Sequence, residues 1–289
     1  MLDSSLINSQ LDYYEEMGVF HYLQLSKIKE GFEKGLSVEQ VAIYALPEMD
    51  WLKMDLILRG ILDELDVTWY SDWQYEHEQM LNIYYGLLNN LNVSLYASPK
   101  YSAKQMHEIY SGLLMGIDTS WYADEKYTAE QMKLIRWGIL NGFDVSFYTN
   151  TAFSAEQMQI IYDGLKENLD VSVYAFPQYD VLSMTVIKEG LMEHLPIDIL
   201  LNAVYDGGQR EAILLGMKAR VDYMLYANPN YEMRQMRTIL QGLEEGIDVS
   251  VILNPDIPFH VMYDMIKPQI EQKQSNVLEL HIHHSDNPF

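Results

Sequence analysis

Apolar residues recur along this chain with helical spacing, and the same stripe returns every 26 residues. In the stretch YSAKQMHEIYSGLLMGIDTSWYADEK, which starts at Tyr101, Met106, Ile109 and Leu113 fall at i, i+3 and i+7 and form one apolar face of a helix. The copies from Tyr127 and from Phe153 repeat it. Three positions keep the beat without an insertion. Glycine falls at Gly60, Gly86, Gly112, Gly138, Gly164, Gly190, Gly216 and Gly242; methionine runs from Met54 to Met262, broken only by Arg210; isoleucine runs from Ile57 to Ile239. An earlier copy carries Gly31, set 29 residues before Gly60 by three extra residues.

The polar positions between these apolar ones mark where each element starts and stops. Ser102 with Gln105, Thr128 with Gln131 and Ser154 with Gln157 have the spacing of a capping box, which opens a helix. The framework glycine lies within that helix, where it costs about 1 kcal/mol relative to alanine. Its recurrence predicts a neighbouring helix too close for a side chain. A second glycine, at Gly116, Gly142 and Gly246, fits a helix C-cap. Asp66, Asp118, Asp144, Asp170, Asp222 and Asp248 then read as N-caps of a second, very short helix, and Pro47, Pro99, Pro177, Pro229 and Pro255 close it. The predicted unit is a helix of about 14 residues, a tight turn, one or two turns of short helix and a loop. One unit cannot cover its own stripe, but stacked units can.

The chain is therefore expected to be all-α, a curved α-solenoid of about nine 26-residue helix–turn–short-helix repeats with atypical terminal caps. We read residues 1–289 as a single domain, with an N-terminal cap over 1–25, repeats over 26–255, and a C-terminal cap and tail over 256–289. The last copy should dissolve near Pro268, and the trailing HIHHSDNPF should be a disordered or edge-lying tail. The stretch from Pro196 to Gly208 departs most from the pattern and is expected to be a local bend that keeps the register.

Composition narrows the function. The formal net charge of −23 and pI of about 4.5 disfavour direct binding to nucleic acid or an anionic membrane. Basic partners remain compatible, as does imitation of a polyanion. There is no cysteine, which excludes thiol chemistry and fits a reducing cytoplasm. The N-terminal segment lacks the basic and apolar regions of a signal peptide, and no apolar run reaches 18 residues.

No nucleotide-binding or hydrolase motif occurs, and Glu76-His77-Glu78 lacks the second histidine of a zinc hydrolase. No catalytic residue, metal site or cofactor is expected. The glutamine and aspartate positions are explained by capping and the methionines by core packing. His281, His283 and His284 would form an adventitious metal site at most.

Positions that vary between otherwise matched repeats are available for a partner. Five residues before the framework glycine the chain has Leu81, His107, Lys133, Gln159, Thr185, Glu211 and Arg237. Two before it are Tyr84, Tyr110, Arg136, Tyr162, Lys188, Leu214 and Leu240, and one before it are Tyr85, Ser111, Trp137, Asp163, Glu189, Leu215 and Gln241. Aromatic and arginine side chains anchor interfaces. Tyr84, Tyr85, Tyr110, Arg136, Trp137 and Tyr162 are the candidate contact strip, unless they fill gaps between adjacent helices.

The string SAEQMxxIxxGLxxGLDVSxYA, followed closely over residues 101–175 and loosely over 50–255, resembles tandem-repeat proteins of gut Firmicutes, some carried on mobile elements or phage. The resemblance implies a shape and a mobile-element context, and no activity. The expected function is a non-catalytic, cytoplasmic scaffold that binds a protein partner through its variable positions. The alternatives are an acidic DNA mimic that blocks a nucleic-acid-binding protein, such as a defence nuclease, and a protein that sequesters a small molecule.

Overall fold

A computed structural model describes residues 4–285, with side chains over 7–275. All regular elements among the described residues are helical, and within each compact unit successive long helices pack on one another as repeat stacking requires. Contact density divides the chain into two compact units, Met1–Thr151 and Ala152–Phe289.

In the first unit α1 (Ser4–Glu16) packs on α2 (Tyr22–Glu33), followed by the single-turn α3 (Val38–Ala42) and the long helices α4 (Trp51–Leu62), α5 (His77–Leu88), α6 (Ala103–Leu114) and α7 (Ala129–Leu140). Each of α4–α7 is followed by a three-residue 3-10 turn: Val67–Trp69, Val93–Leu95, Thr119–Trp121 and Val145–Phe147. The second unit repeats the scheme with α8 (Ala155–Lys166), α9 (Val181–Met192), α10 (Gly207–Ala219), α11 (Met233–Glu244) and α12 (Phe259–Ser285), each packed on the next.

The long helices are nearly all 12 residues, shorter than the 14 expected, because a left-handed residue ends each one early. Gly116 takes φ +70, so that the Ile117 N–H bonds the Gly112 carbonyl at 2.9 Å and closes the end. Glu64, Asn90, Asn168, His194 and Arg220 hold the same conformation without being glycine. The first repeat begins at the capping box of His21 and Gln24, inside the segment read as a terminal cap. Its three extra residues convert the 3-10 turn into α3.

Two sequence expectations are corrected at the C-terminus. Pro268 does not end the last copy but lies within α12, and the helix runs on through the expected tail to Ser285. The side chains of His281, His283 and His284, and residues 286–289, lie outside those described.

The core is built by the repeat itself. The methionine and isoleucine positions are fully buried from Met54 and Ile57 to Met236 and Ile239. The framework glycine admits its own repeat's tyrosine, and this corrects the expectation of a neighbouring helix. A methyl on Gly112 would overlap the Tyr122 hydroxyl and crowd Thr119, both from the short turn of the same repeat. That hydroxyl donates to the Glu108 carbonyl at 3.3 Å, and Tyr70, Tyr96, Tyr148 and Tyr226 do the same four residues before their own glycines. Each phenol is fully buried, a gain of roughly 2–3 kcal/mol by apolar transfer. The price of a mid-helix glycine is thus met by a locked short turn.

Between repeats the glutamine position does the fastening. Gln105 accepts from the Ser102 N–H at 2.8 Å, as its capping box predicts. Its Nε2 also donates to the carbonyls of Glu125 (3.0 Å) and Tyr127 (2.6 Å) in the loop entering the next helix. Gln24, Gln79, Gln157, Gln209 and Gln235 make the same pair of bonds.

The departure near Pro196 is a rebuilt fastening within the second unit. Pro196 stands where aspartate caps elsewhere, Leu200 replaces the tyrosine and Ser183 the glutamine, yet the turn Ile197–Ile199 still forms. Arg210, at a methionine position, supplies what is missing. It is buried and donates to the Leu200 carbonyl (2.7 Å), Ser183 Oγ (2.7 Å) and the Asn202 carbonyl (3.0 Å). Burial lowers its pKa.

Candidate functional site

Since the framework positions hold each unit together, chemistry must be sought on what they leave outside. Counting the framework glycine as zero, positions −5, −1 and +2 follow i, i+4, i+7 and share a face of each long helix. Position −2 lies toward the packed side, and this divides the predicted contact strip.

Tyr84 is buried, donates its hydroxyl to Asp63 Oδ2 at 2.7 Å and lies edge-on to Tyr70. Burial first, and then the bond to Asp63, push its pKa up to about 12. Arg136 is also buried; its Nε and Nη2 meet Glu108 Oε2 at 3.0 and 2.7 Å. Both side chains are committed between repeats, the gap-filling role named for this strip. Tyr110 is half-buried, while Tyr85 and Trp137 at position −1 are exposed. Tyr162 is half-buried and belongs to the second unit.

The structure assembles a different group. Successive outward faces of α5, α6 and α7 enclose an open groove of roughly 700 Å³, lined by Leu81, Tyr85, His107 and Tyr110, with Lys104 and Lys133 among its polar groups. Glu78 and Glu130 also border it. Lys133 Nζ sits 4.4 Å from the centre of the Trp137 ring. Leu88, Leu114 and Leu140 continue the same face as exposed leucines at +2. Sequence reasoning had position −5 among the variable positions but passed over Leu81, His107 and Lys133 because none is the tyrosine, tryptophan or arginine it took as an interface anchor. The signal against position −2 was also present: Leu214 and Leu240 belong to it, and a position that accepts leucine in two repeats faces inward.

In the second unit the same three positions carry Gln159, Asp163 and Lys166 on α8, Thr185, Glu189 and the exposed Met192 on α9, Glu211, Leu215 and Lys218 on α10, and Arg237, Gln241 and Glu244 on α11, so polar residues outnumber apolar ones there. They pair among themselves: Gln159 with Asp163 at 2.8 Å, Lys218 with Glu189 at 2.6 Å, Arg237 with Glu211 at 2.8 Å. All five tryptophans of the chain lie in the first unit, and each is 36–53% exposed. Tryptophan is highly buried on average, so five partly exposed ones in one unit set its surface apart from that of the other.

Among the described residues no group of three His, Asp or Glu side chains is placed to hold a metal ion, and no helix is long and apolar enough to cross a membrane. Comparison with protein-family models, curated proteins and solved structures finds no match to this chain.

Proposed function

We propose that this chain is a non-catalytic helical-repeat protein that binds a protein partner through the groove and outward face of α5–α7. The observation that carries the reading is the contrast in outward chemistry between units built on one framework. Folding needs the glycine, tyrosine, methionine and glutamine positions, and the repeats of α5, α6, α7 and α8 fill all four alike, whereas Ser183, Leu200, Arg210 and Ile252 replace some of them further on. It does not need Leu81, Tyr85, Leu88, Trp137 and Leu140 to be apolar, since Gln159, Asp163 and Lys166 serve at the same positions. Exposed apolar surface kept without a folding reason is the signature of a docking face. The varied residues of −5 and −1 supply specificity, with aromatic anchors at Tyr85 and Trp137.

The acidic-decoy reading has less support on this face, where Lys104 and Lys133 stand among Glu78 and Glu130. The small-molecule reading draws on the groove's volume, and mass spectrometry of the denatured protein distinguishes it by a co-purified ligand.

The test exchanges the face and leaves the framework intact. Leu81→Gln, Tyr85→Asp and Leu88→Lys give α5 the residues that α8 carries. Cross-linking in lysate of the source cells, followed by mass spectrometry, should recover a stoichiometric protein with the unaltered chain and lose it with the triple variant. Equal recovery by both chains, or recovery by neither, refutes the proposal.

A further inference from the structure

The groove of α5–α7 also carries information on the chemistry of its occupant, a conclusion that rests on docking in that groove. Its two sides differ. On α5 it is lined by Leu81 and Tyr85, and on α6 and α7 by Lys104, His107 and Lys133. Between Arg59 and Lys166 the chain has five lysines and arginines: Lys100, Lys104, Lys126, Lys133 and Arg136. All of them lie on α6, on α7 or in the loops leading into these helices.

Lys104 is the informative one. It is the second residue of α6, directly after Ala103 and the N-cap Ser102. The free N–H groups and the macrodipole make that end of a helix positive, which favours an acid there and opposes a lysine. The matching residues of α5, α7 and α8 are Glu78, Glu130 and Glu156, as that potential requires. Lys104 therefore opposes its own helix, and nothing within the chain compensates. Among the described residues its side chain makes no hydrogen bond, ion pair or ring contact. The other cation at this position, Arg234 of α11, does have a partner, since its guanidinium lies 5.1 Å from the centre of the Phe259 ring.

The carboxylates that line the groove are engaged elsewhere. Glu108 is paired with Arg136. Glu78 and Glu130 serve the first turns of their own helices, and neither forms an ion pair with Lys104 or Lys133. Lys133 rests on the face of Trp137, a contact that leaves its charge in place. An ammonium without a counter-ion, beside apolar side chains that thin the water around it, attracts a carboxylate more strongly than one in open solvent.

We propose that the groove binds a partner segment in which an apolar side chain seats on Leu81 and Tyr85 and a neighbouring aspartate or glutamate bonds Lys104, with Lys133 as the second cation of the same cavity. The net charge of −23 does not oppose this contact at close range, because charges on exposed surfaces are screened beyond about 8 Å at physiological salt. It does act against acidic stretches that lack the apolar anchor, and against a second copy of this chain as occupant.

The probe is a phage-displayed library of random peptides of about 12 residues, selected on the immobilised full chain at about 0.15 M salt. Selected peptides should carry aspartate or glutamate close to Leu, Phe, Tyr or Trp, and the groove variant Leu81→Gln, Tyr85→Asp, Leu88→Lys should select none of them. A selected peptide is then titrated by calorimetry. Lys104→Glu copies the residue of α5, α7 and α8, so its melting midpoint should hold or rise. It should weaken peptide binding about tenfold or more. Exchanging the peptide's acid for the matching amide should weaken binding by a similar factor, and Lys104→Glu should then add less than about threefold, because both changes remove one contact. Lys166→Glu makes the same charge change in the second unit and should alter the dissociation constant less than about twofold. Selected peptides without an acid, no loss with Lys104→Glu, no loss with the amide peptide, or equal loss with Lys166→Glu overturns the acidic-segment proposal and leaves docking in the groove standing. Peptides selected equally by the groove variant, or none selected by the unaltered chain, overturn docking in the groove and this proposal with it.

Discussion

The first and second units share a framework and differ in what they show to solvent. Met106 and Met158, Ile109 and Ile161, Gly112 and Gly164, Tyr122 and Tyr174 fill matching, fully packed positions. Outside that framework, α5 presents Leu81, Tyr85 and Leu88 where α8 presents Gln159, Asp163 and Lys166. When a repeat tolerates both sets, the outward residues are free of the folding problem, and their apolar character in one unit needs another cause. The contrast extends to the lock itself. The first unit closes five short elements with a buried tyrosine, from Tyr44 to Tyr148; the second has Tyr174 and Tyr226, with Leu200 and Ile252 elsewhere.

That difference predicts the largest effect, in alkali. Burial raises the pKa of Tyr44, Tyr70, Tyr96 and Tyr122 in the first unit, and of Tyr174 and Tyr226 in the second. An unfolded tyrosine ionises near pH 10. Above that value the unfolded chain holds fewer protons than the folded one, so stability falls as pH rises. The stabilising contribution is complete below about pH 10 and is lost progressively toward the folded pKa. Hydrogen exchange above about pH 10.5 should show α4–α7 opening before α9–α11. The reverse order would break the link between the tyrosine lock and the first unit's stability.

Next in size is the glycine beneath the lock. Gly112→Ala drives a methyl into the Tyr122 hydroxyl, and overpacking of this kind costs about 1–3 kcal/mol beyond the helix propensity gained. Gly190→Ala meets the ends of flexible side chains, Ile197 and Leu200 carbons at 2.9 and 3.2 Å and Leu214 at an ordinary 3.6 Å, and these can yield. Urea denaturation should place Gly112→Ala well below Gly190→Ala. Equal midpoints would show that the tyrosine is not what requires the glycine.

Smaller again is the inter-repeat fastening. Gln105→Ala removes an acceptor for the Ser102 N–H and two donors to loop carbonyls, a loss of about 1–3 kcal/mol. Ser183, which stands at the glutamine position of α9, already relies on Arg210. Ser183→Ala should therefore cost less, about 1 kcal/mol, because Arg210 keeps its two carbonyls.

These residues also mark where sequence reading stops. The capping role of Gln105 was legible because Ser102 lies three positions away on one helix. Its bond to Tyr127 was not, because nothing local ties residues 22 apart. The close approach at Gly112 was legible from its recurrence, whereas its cause was not, since Tyr122 reaches it only after the chain has turned back. Arg210, Ser183, Pro196 and Leu200 looked like four separate departures and are one compensated set in space. For the candidate site, variability pointed to three positions on each long helix, and composition then selected Tyr84 and Arg136, whose helical phase places them between repeats. Leu81, His107 and Lys133 were in view without any chemical reason to prefer them.

The smallest effect on stability carries the most weight for function. Leu81→Gln, Tyr85→Asp and Leu88→Lys change three outward residues, of which Tyr85 and Leu88 are exposed and Leu81 is half-buried. The melting midpoint should move by the equivalent of less than about 1 kcal/mol, since surface changes remote from the framework seldom exceed that. Binding of a hydrophobic dye should fall, because the exposed apolar area of the groove is reduced. The reciprocal change in α8, Gln159→Leu with Asp163→Tyr and Lys166→Leu, should raise dye binding at a similarly small cost in stability. If the first exchange instead unfolds the first unit, its apolar face belongs to the core and the distinction between framework and outward positions fails. If both exchanges leave the fold intact while dye binding moves in opposite directions, the two faces are interchangeable as structure. The difference between them is then a difference in what they bind.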